Sequence, residues 1–193
     1  MQAESTPSRN LHLLNAERAS QPSFEAIALA HLDAAYNLAR WLTRDAVLAQ
    51  DIVQDAMVRG LKYFSGFRGD NARAWLLQIV RNVALGRLGE RSTELSLQAQ
   101  LEGAHDAVAS FHADSLHAPD AVMEQAQTRD TVERLLRTLP LELRECIVLR
   151  ELEELSYKEI ARIVDAPIGT VMSRLWRARQ LLAREAQTLE NSL

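Results

Sequence analysis

Cysteine, glycine and proline are all scarce in this chain of 193 residues, which holds one, seven and five of them. The lone Cys146 excludes an internal disulfide, and its place in an apolar helical run makes it a small buried hydrophobe; a reducing compartment is compatible with this. So little glycine and proline, with almost no β-branched alternation, argues against a strand-rich fold and points to an all-α protein. No apolar run approaches the ~20 residues that span a bilayer. The opening MQAESTPSRN also lacks the basic-then-apolar order of a secretory signal. The expectation is a cytoplasmic protein without direct membrane insertion. His105, His112 and His117 have no cysteine or tight carboxylate pattern beside them, so neither a metal nor a cofactor is expected. No catalytic constellation stands out, and an enzyme is not expected.

Basic charge is also short overall, the formal net charge being −4. Its distribution matters more than its total. From Ser156 to Arg184 there are six Lys/Arg against two Asp/Glu, whereas Ser92 to Thr128 holds six acids and no Lys or Arg. An acidic middle precedes a basic end.

What is present centres on Leu155 to Arg179. Ser156 and Glu159 are spaced as a capping box, and Ile160, Ile163 and Val164 form an apolar stripe. Asp165-Ala166 interrupts it, and Pro167 suits the first turn of a new helix. Val171, Leu175, Ala178 and Leu182 make a second stripe, with Thr170, Ser173, Arg174 and Arg177 opposite and Arg179 further round. Two short helices joined by a tight turn read as a helix-turn-helix. Hydroxyls near a helix N-terminus can hold phosphate oxygens, and arginines can bridge guanine in the major groove. A plain amphipathic hairpin with a solvated basic face remains the alternative at this point.

Residues 1–22 read as a frayed tail. A helical pattern runs from Phe24 through Ile27, Leu32, Ala35, Leu38 and Leu42, and breaks at Thr43 to Asp45. The next helix, Ala46 to about Phe64, turns Ala49, Ile52, Val53, Ala56 and Gly60 inward. Asp51, Gln54 and Asp55 cluster on its outer face, with Val58 extending it. That face would dock a basic partner helix or be merely solvated. Phe64 to Asn71 is an aromatic, glycine-punctuated loop, leading to a helix with Trp75, Leu76, Ile79, Val80, Val83 and Ala84 apolar and Arg73, Arg81, Asn82 and Arg87 polar. Aromatics beside arginines suit unstacked single-stranded bases; equally, Phe64, Phe67 and Trp75 would close a small core. Gly86 and Gly89 weaken the helix by roughly 1 kcal/mol each, so it should decay around Arg87 to Ser92. Residues 92–119 read as a linker, and helices from Val122 to about Leu139 and from Leu141 to Leu152 follow.

Four segments in this order, DIVQDAM at 51–57, FRGDNARAWLLQIVRNVAL at 67–85, LPLELRECIVLRELEELSYKEIA at 139–161 and APIGTVMSRLWRARQLL at 166–182, make the chain resemble the extracytoplasmic-function (ECF) sigma factors of bacterial RNA polymerase. The resemblance spans about Phe24 to Leu182 apart from the linker. It implies two small helical domains: region two over 23–91 and region four over 120–187, joined by the flexible acidic linker, with tails at 1–22 and 188–193. It also implies a polymerase-binding face of Asp51, Gln54, Asp55 and Val58. Contacts to the melted downstream promoter element would come from Phe64, Phe67, Arg68, Asn71, Trp75, Arg81, Asn82 and Arg87. Contacts to the upstream element would come from Thr170, Ser173, Arg174, Arg177 and Arg179 of the recognition helix. The implied partners are core RNA polymerase, promoter DNA and an anti-sigma factor. The chain departs from the common family pattern at Asp55, often glutamate, at Gly86, often acidic, at Leu88 and Gly89, often basic, and at Met172, often lysine. Those departures motivate one competing expectation, a sigma-like mimic that sequesters an anti-sigma factor without binding promoters.

Overall fold

In the computed structural model, which describes residues 23–68, 71–102 and 131–190, every regular element is helical and no strand occurs among the described residues. Three helices build the N-terminal unit after a short entrance helix. Helix α1 (Phe24–Ala30) starts at Ser23, whose hydroxyl accepts from the Ala26 N–H. His31 ends it and begins α2 (Leu32–Thr43), so the single periodic pattern from Phe24 to Leu42 is two helices. The break lets α1 lay Phe24 over Gly60 and beside the ring of Phe64, at 5.8 Å between centroids.

Arg44 closes α2 in the left-handed region (φ 60°), and Asp45 then caps α3 (Ala46–Tyr63) by accepting from the N–H groups of Val47 and Leu48. That is the break expected at Thr43 to Asp45, and a side-chain cap satisfies otherwise orphaned donors. A single 3-10 turn (Phe64–Gly66) leads to α4 (Ala72–Glu102). Helices α2, α3 and α4 pack on one another through Leu38, Leu42, Ile52, Leu77 and Val80, all essentially buried.

Helix α4 does not decay at Gly86 and Gly89; it continues to Glu102, past the linker start expected at Ser92. Tertiary ties carry it through the weak stretch. Arg87 pairs with Asp55, and Arg91 pairs with Asp45 at 3.4 Å. Intrinsic propensity is a weak prior that such context overrides.

The C-terminal unit comprises a helix whose described part is 131–138 (α5), α6 (Leu141–Ile147), a wider π-type turn (Val148–Leu152), α7 (Tyr157–Ile163) and α8 (Ile168–Glu190). The capping box at Ser156 and Glu159 is present in both directions. The turn between α7 and α8 is closed by Asp165 in the left-handed region (φ 50°) and by the Ala166 N–H donating to the Ala161 carbonyl at 3.1 Å. This is the bond that closes a Schellman helix end, and an aspartate tolerates the left-handed position better than most residues.

The two units touch. Helix α7 packs on α4, and α6 and its π-type turn pack on α2, so buried apolar residues of both units form one continuous cluster. Among the described residues no helix is long and apolar enough to cross a membrane. Residues 1–22, most of the expected linker with His105, His112 and His117, and the start of the helix expected at Val122 lie outside the described residues.

Candidate nucleic-acid interface

Helix α3 presents Asp51, Gln54 and Val58 to solvent on one face, and Val58 is 65% exposed. Asp55 stands beside them but is paired with Arg87 of α4, and the same carboxylate raises the Arg87 pKa above its usual value. Two residues assigned to different surfaces therefore touch. Nothing in their separation along the sequence predicts it.

The aromatic residues of the 64–75 segment form one cluster. Phe67 and Trp75 lie 4.9 Å apart, Phe64 and Phe67 stack at 6.1 Å with 16° between planes, and Phe64 meets Trp75 at 6.2 Å. Phe67 is buried, whereas Phe64 and Trp75 keep part of their surface exposed. Core closure and available rings thus coexist. Beside them opens a cleft lined by Phe67, Arg68, Asn71, Trp75 and Gln78, with Arg162 of α7 on its rim. Arg68 is exposed and its guanidinium donates to the carbonyls of Ser65 and Phe67, which fixes the loop. Asn71 caps α4 by accepting from the Ala74 N–H at 2.8 Å and donates its amide to Glu159.

Arg81 departs from the expected outward position. Its side chain is 13% exposed and grips Glu145 of α6 with two bonds, Nε to Oε2 at 2.7 Å and Nη2 to Oε1 at 3.2 Å. Asn82, next along, is exposed.

On α8, Ser173, Arg177 and Arg179 are exposed and Thr170 is half-buried. Ser173 donates its hydroxyl to the Thr170 carbonyl at 3.0 Å, and Arg179 donates to Glu151 at 2.7 Å. Arg177 makes no ion pair among the described residues. Arg174, expected on the same outer face, is instead turned toward α6, its side chain 19% exposed. It reaches Glu145 at 3.3 Å and Glu142 at 3.4 Å. Ile168, Met172 and Trp176, four residues apart on α8, stand exposed between the polar positions, Trp176 by 64%.

Sequence reasoning missed Glu145, the buried carboxylate on which Arg81 and Arg174 converge. Its sequence neighbourhood gives little signal: Glu145 sits between Arg144 and the apolar run CIVL, with Glu142 one turn before it, and the partners that make its burial tolerable come from α4 and α8. Cys146 beside it is fully buried, and its thiol pKa is pushed up to about 11 by burial first and by Glu145 second.

Residues 27–93 match the model of Sigma-70 region 2 and residues 129–182 match that of Sigma-70, region 4. The chain is 31% identical over 181 residues to the RNA polymerase sigma-H factor of Pseudomonas aeruginosa, covering 90% of this chain and 91% of that one. It is 36% identical over 146 residues to the ECF RNA polymerase sigma-E factor of Escherichia coli K12, covering 72% and 74%. The solved sigma factor RpoE of Bartonella quintana, in complex with the anti-sigma factor NepR, superposes with a TM-score of 0.66 at 27% identity, over 85% of this chain and 96% of that one. CnrH, solved with the cytosolic domain of CnrY, shares the fold with a TM-score of 0.60 at 22% identity, over 91% and 96%. The chain belongs to the ECF-type RNA polymerase sigma factors, which are transcription initiation factors.

Proposed function

We propose that this sigma factor binds core polymerase through the α3 face of Asp51, Gln54, Asp55 and Val58, and reads promoters through two further surfaces. Phe64, Phe67, Arg68, Asn71, Trp75, Arg81, Asn82 and Arg87 engage the melted downstream element. Thr170, Ser173, Arg174, Arg177 and Arg179 engage the upstream element. The observation that carries the reading is the separation of chemistries: an exposed acidic and amide face on α3, and exposed hydroxyl and guanidinium groups on the second helix of a helix-turn-helix. Partly exposed rings beside cations fit flipped or stacked single-stranded bases, and Arg177 on α8 fits phosphate or guanine. The sigma factor of similar structure was solved with an anti-sigma factor, and we assign a regulator of that class to this chain too.

The division of labour is testable with two variants. Asp51→Arg should weaken binding to core polymerase by about tenfold or more, the loss expected from reversing a charge at an interface centre. Arg177→Ala should leave that affinity unchanged and lower promoter-directed initiation. Unchanged polymerase affinity in Asp51→Arg would remove α3 from the interface.

A further inference from the structure

Two of the buried charges in this molecule are matched by opposite charge. Glu145 is met by Arg81 and Arg174, and Glu153 by Arg73. Arg144 is different. It is 5% exposed, and its Nη2 donates to the Leu42 carbonyl at 3.3 Å, while its Nε and Nη1 are buried without an acceptor.

Two more arginines share this corner. Arg44, in the left-handed position that ends α2, donates to the carbonyl of Arg137 on α5. The Nε atoms of Arg44 and Arg137 are likewise buried without an acceptor, so every such orphaned side-chain atom among the described residues belongs to these three guanidiniums. Glu133, the acid on α5 beside them, already gives its Oε1 to both Arg40 and Arg137. The three also repel one another. Burial first, and then Arg137, lowers the Arg44 pKa; burial first, and then Arg44, lowers that of Arg144 to about 10. Buried charge without a counter-charge is strongly unfavourable, and a cluster of unmet donors in a native fold calls for an ion.

We infer that Arg44, Arg137 and Arg144 form a binding site for a phosphate-class oxyanion, where the end of α2 meets α5 and α6. The four unmet N–H donors suit the four oxygens of phosphate better than the two of a carboxylate. Planar guanidiniums are the side chains best fitted to that acceptor, and its charge offsets theirs. Arg144 lies deepest, whereas Arg44 and Arg137 are half-buried and give the anion its way in. None of the three is among the residues assigned above to polymerase or promoter, so the site stands apart from those assignments. The anion is either free phosphate or the terminal phosphate of a nucleotide.

The test is isothermal titration of the full chain, in buffer free of phosphate and sulfate, with inorganic phosphate and separately with ATP. The wild-type chain should bind at a single saturable site. Arg144→Met should lose affinity by about tenfold or more, as expected when an anion loses a charged donor. Arg177→Ala should leave the isotherm unchanged, because that exposed cation of α8 is no part of the site. If circular dichroism finds Arg144→Met unfolded, Arg44→Gln decides by the same isotherms. ATP binding that is lost in the same variant and competes with phosphate identifies a nucleotide as the source; phosphate binding that ATP does not displace identifies the free ion. Saturable binding of neither probe, or binding that the folded variant retains in full, overturns the inference.

Discussion

Arg174 and Arg177 sit one turn apart on α8 and have different surroundings. Arg177 is exposed, so Arg177→Ala should reduce promoter-directed initiation while leaving the thermal midpoint within experimental error. Arg174 supports the buried Glu145, so Arg174→Ala should lower stability as well, by on the order of 1–3 kcal/mol for a buried acceptor losing a charged donor. Urea unfolding of the two variants checks the contrast; equal stabilities would mean Arg174 is not structural. Arg144 gives the opposite sign. Its two unsatisfied N–H groups disfavour burial, so Arg144→Met should hold or raise stability in the same measurement. A helical wheel put Arg81 and Arg174 outward because it sees one helix at a time. The acid they meet lies on another element, and no spacing within either helix announces it.

Element ends carry the acid sensitivity. The Glu159 carboxyl is held below its ordinary 4.5 by the Ser156 donors and then by Asn71, and Asp45 lies below 3.8 through the Leu48 N–H and then Arg91. Both are depressed acids, so their stabilisation is complete above those ordinary values and is lost as pH falls through the lower folded ones. Stability should stay level from neutral pH to about 4.5 and decline below it. The stability difference between wild type and Asp45→Asn, which keeps a cap without a titrating group, should shrink over the same fall; a constant difference would contradict the assignment. The capping box, the Thr43 to Asp45 break and Pro167 were legible because caps are local chemistry. The end of α4 was not, because Arg87 and Arg91 bind partners on α3 and at its cap. A Cβ at Gly86 or Gly89 would meet nothing within 4 Å, so alanine there should stabilise α4 by roughly 1 kcal/mol each. Gly60→Ala should do the reverse, since its Cβ would come within 2.8 Å of the Phe24 ring. Thermal midpoints of the three variants check both signs.

At the scale of the whole molecule, the two units and their order were legible, since apolar periodicity and the four quoted segments are properties of the chain itself. Their closure on each other was not. It rests on Glu145, Glu153 and Arg73, charged residues that sequence alone assigns to solvent. Asp51, Gln54 and Val58 face outward, whereas Arg81 and Arg174 turn inward to Glu145.

The central claim is that this chain directs core polymerase to promoters. The most direct test is transcription in vitro, with the chain and purified core polymerase on a pool of genomic promoter fragments and the start sites sequenced. The account predicts discrete starts that share paired upstream and downstream elements and that disappear with Asp51→Arg. Polymerase binding without any such starts, or no polymerase binding at all, would contradict it, and the latter would favour a mimic that only sequesters an anti-sigma factor.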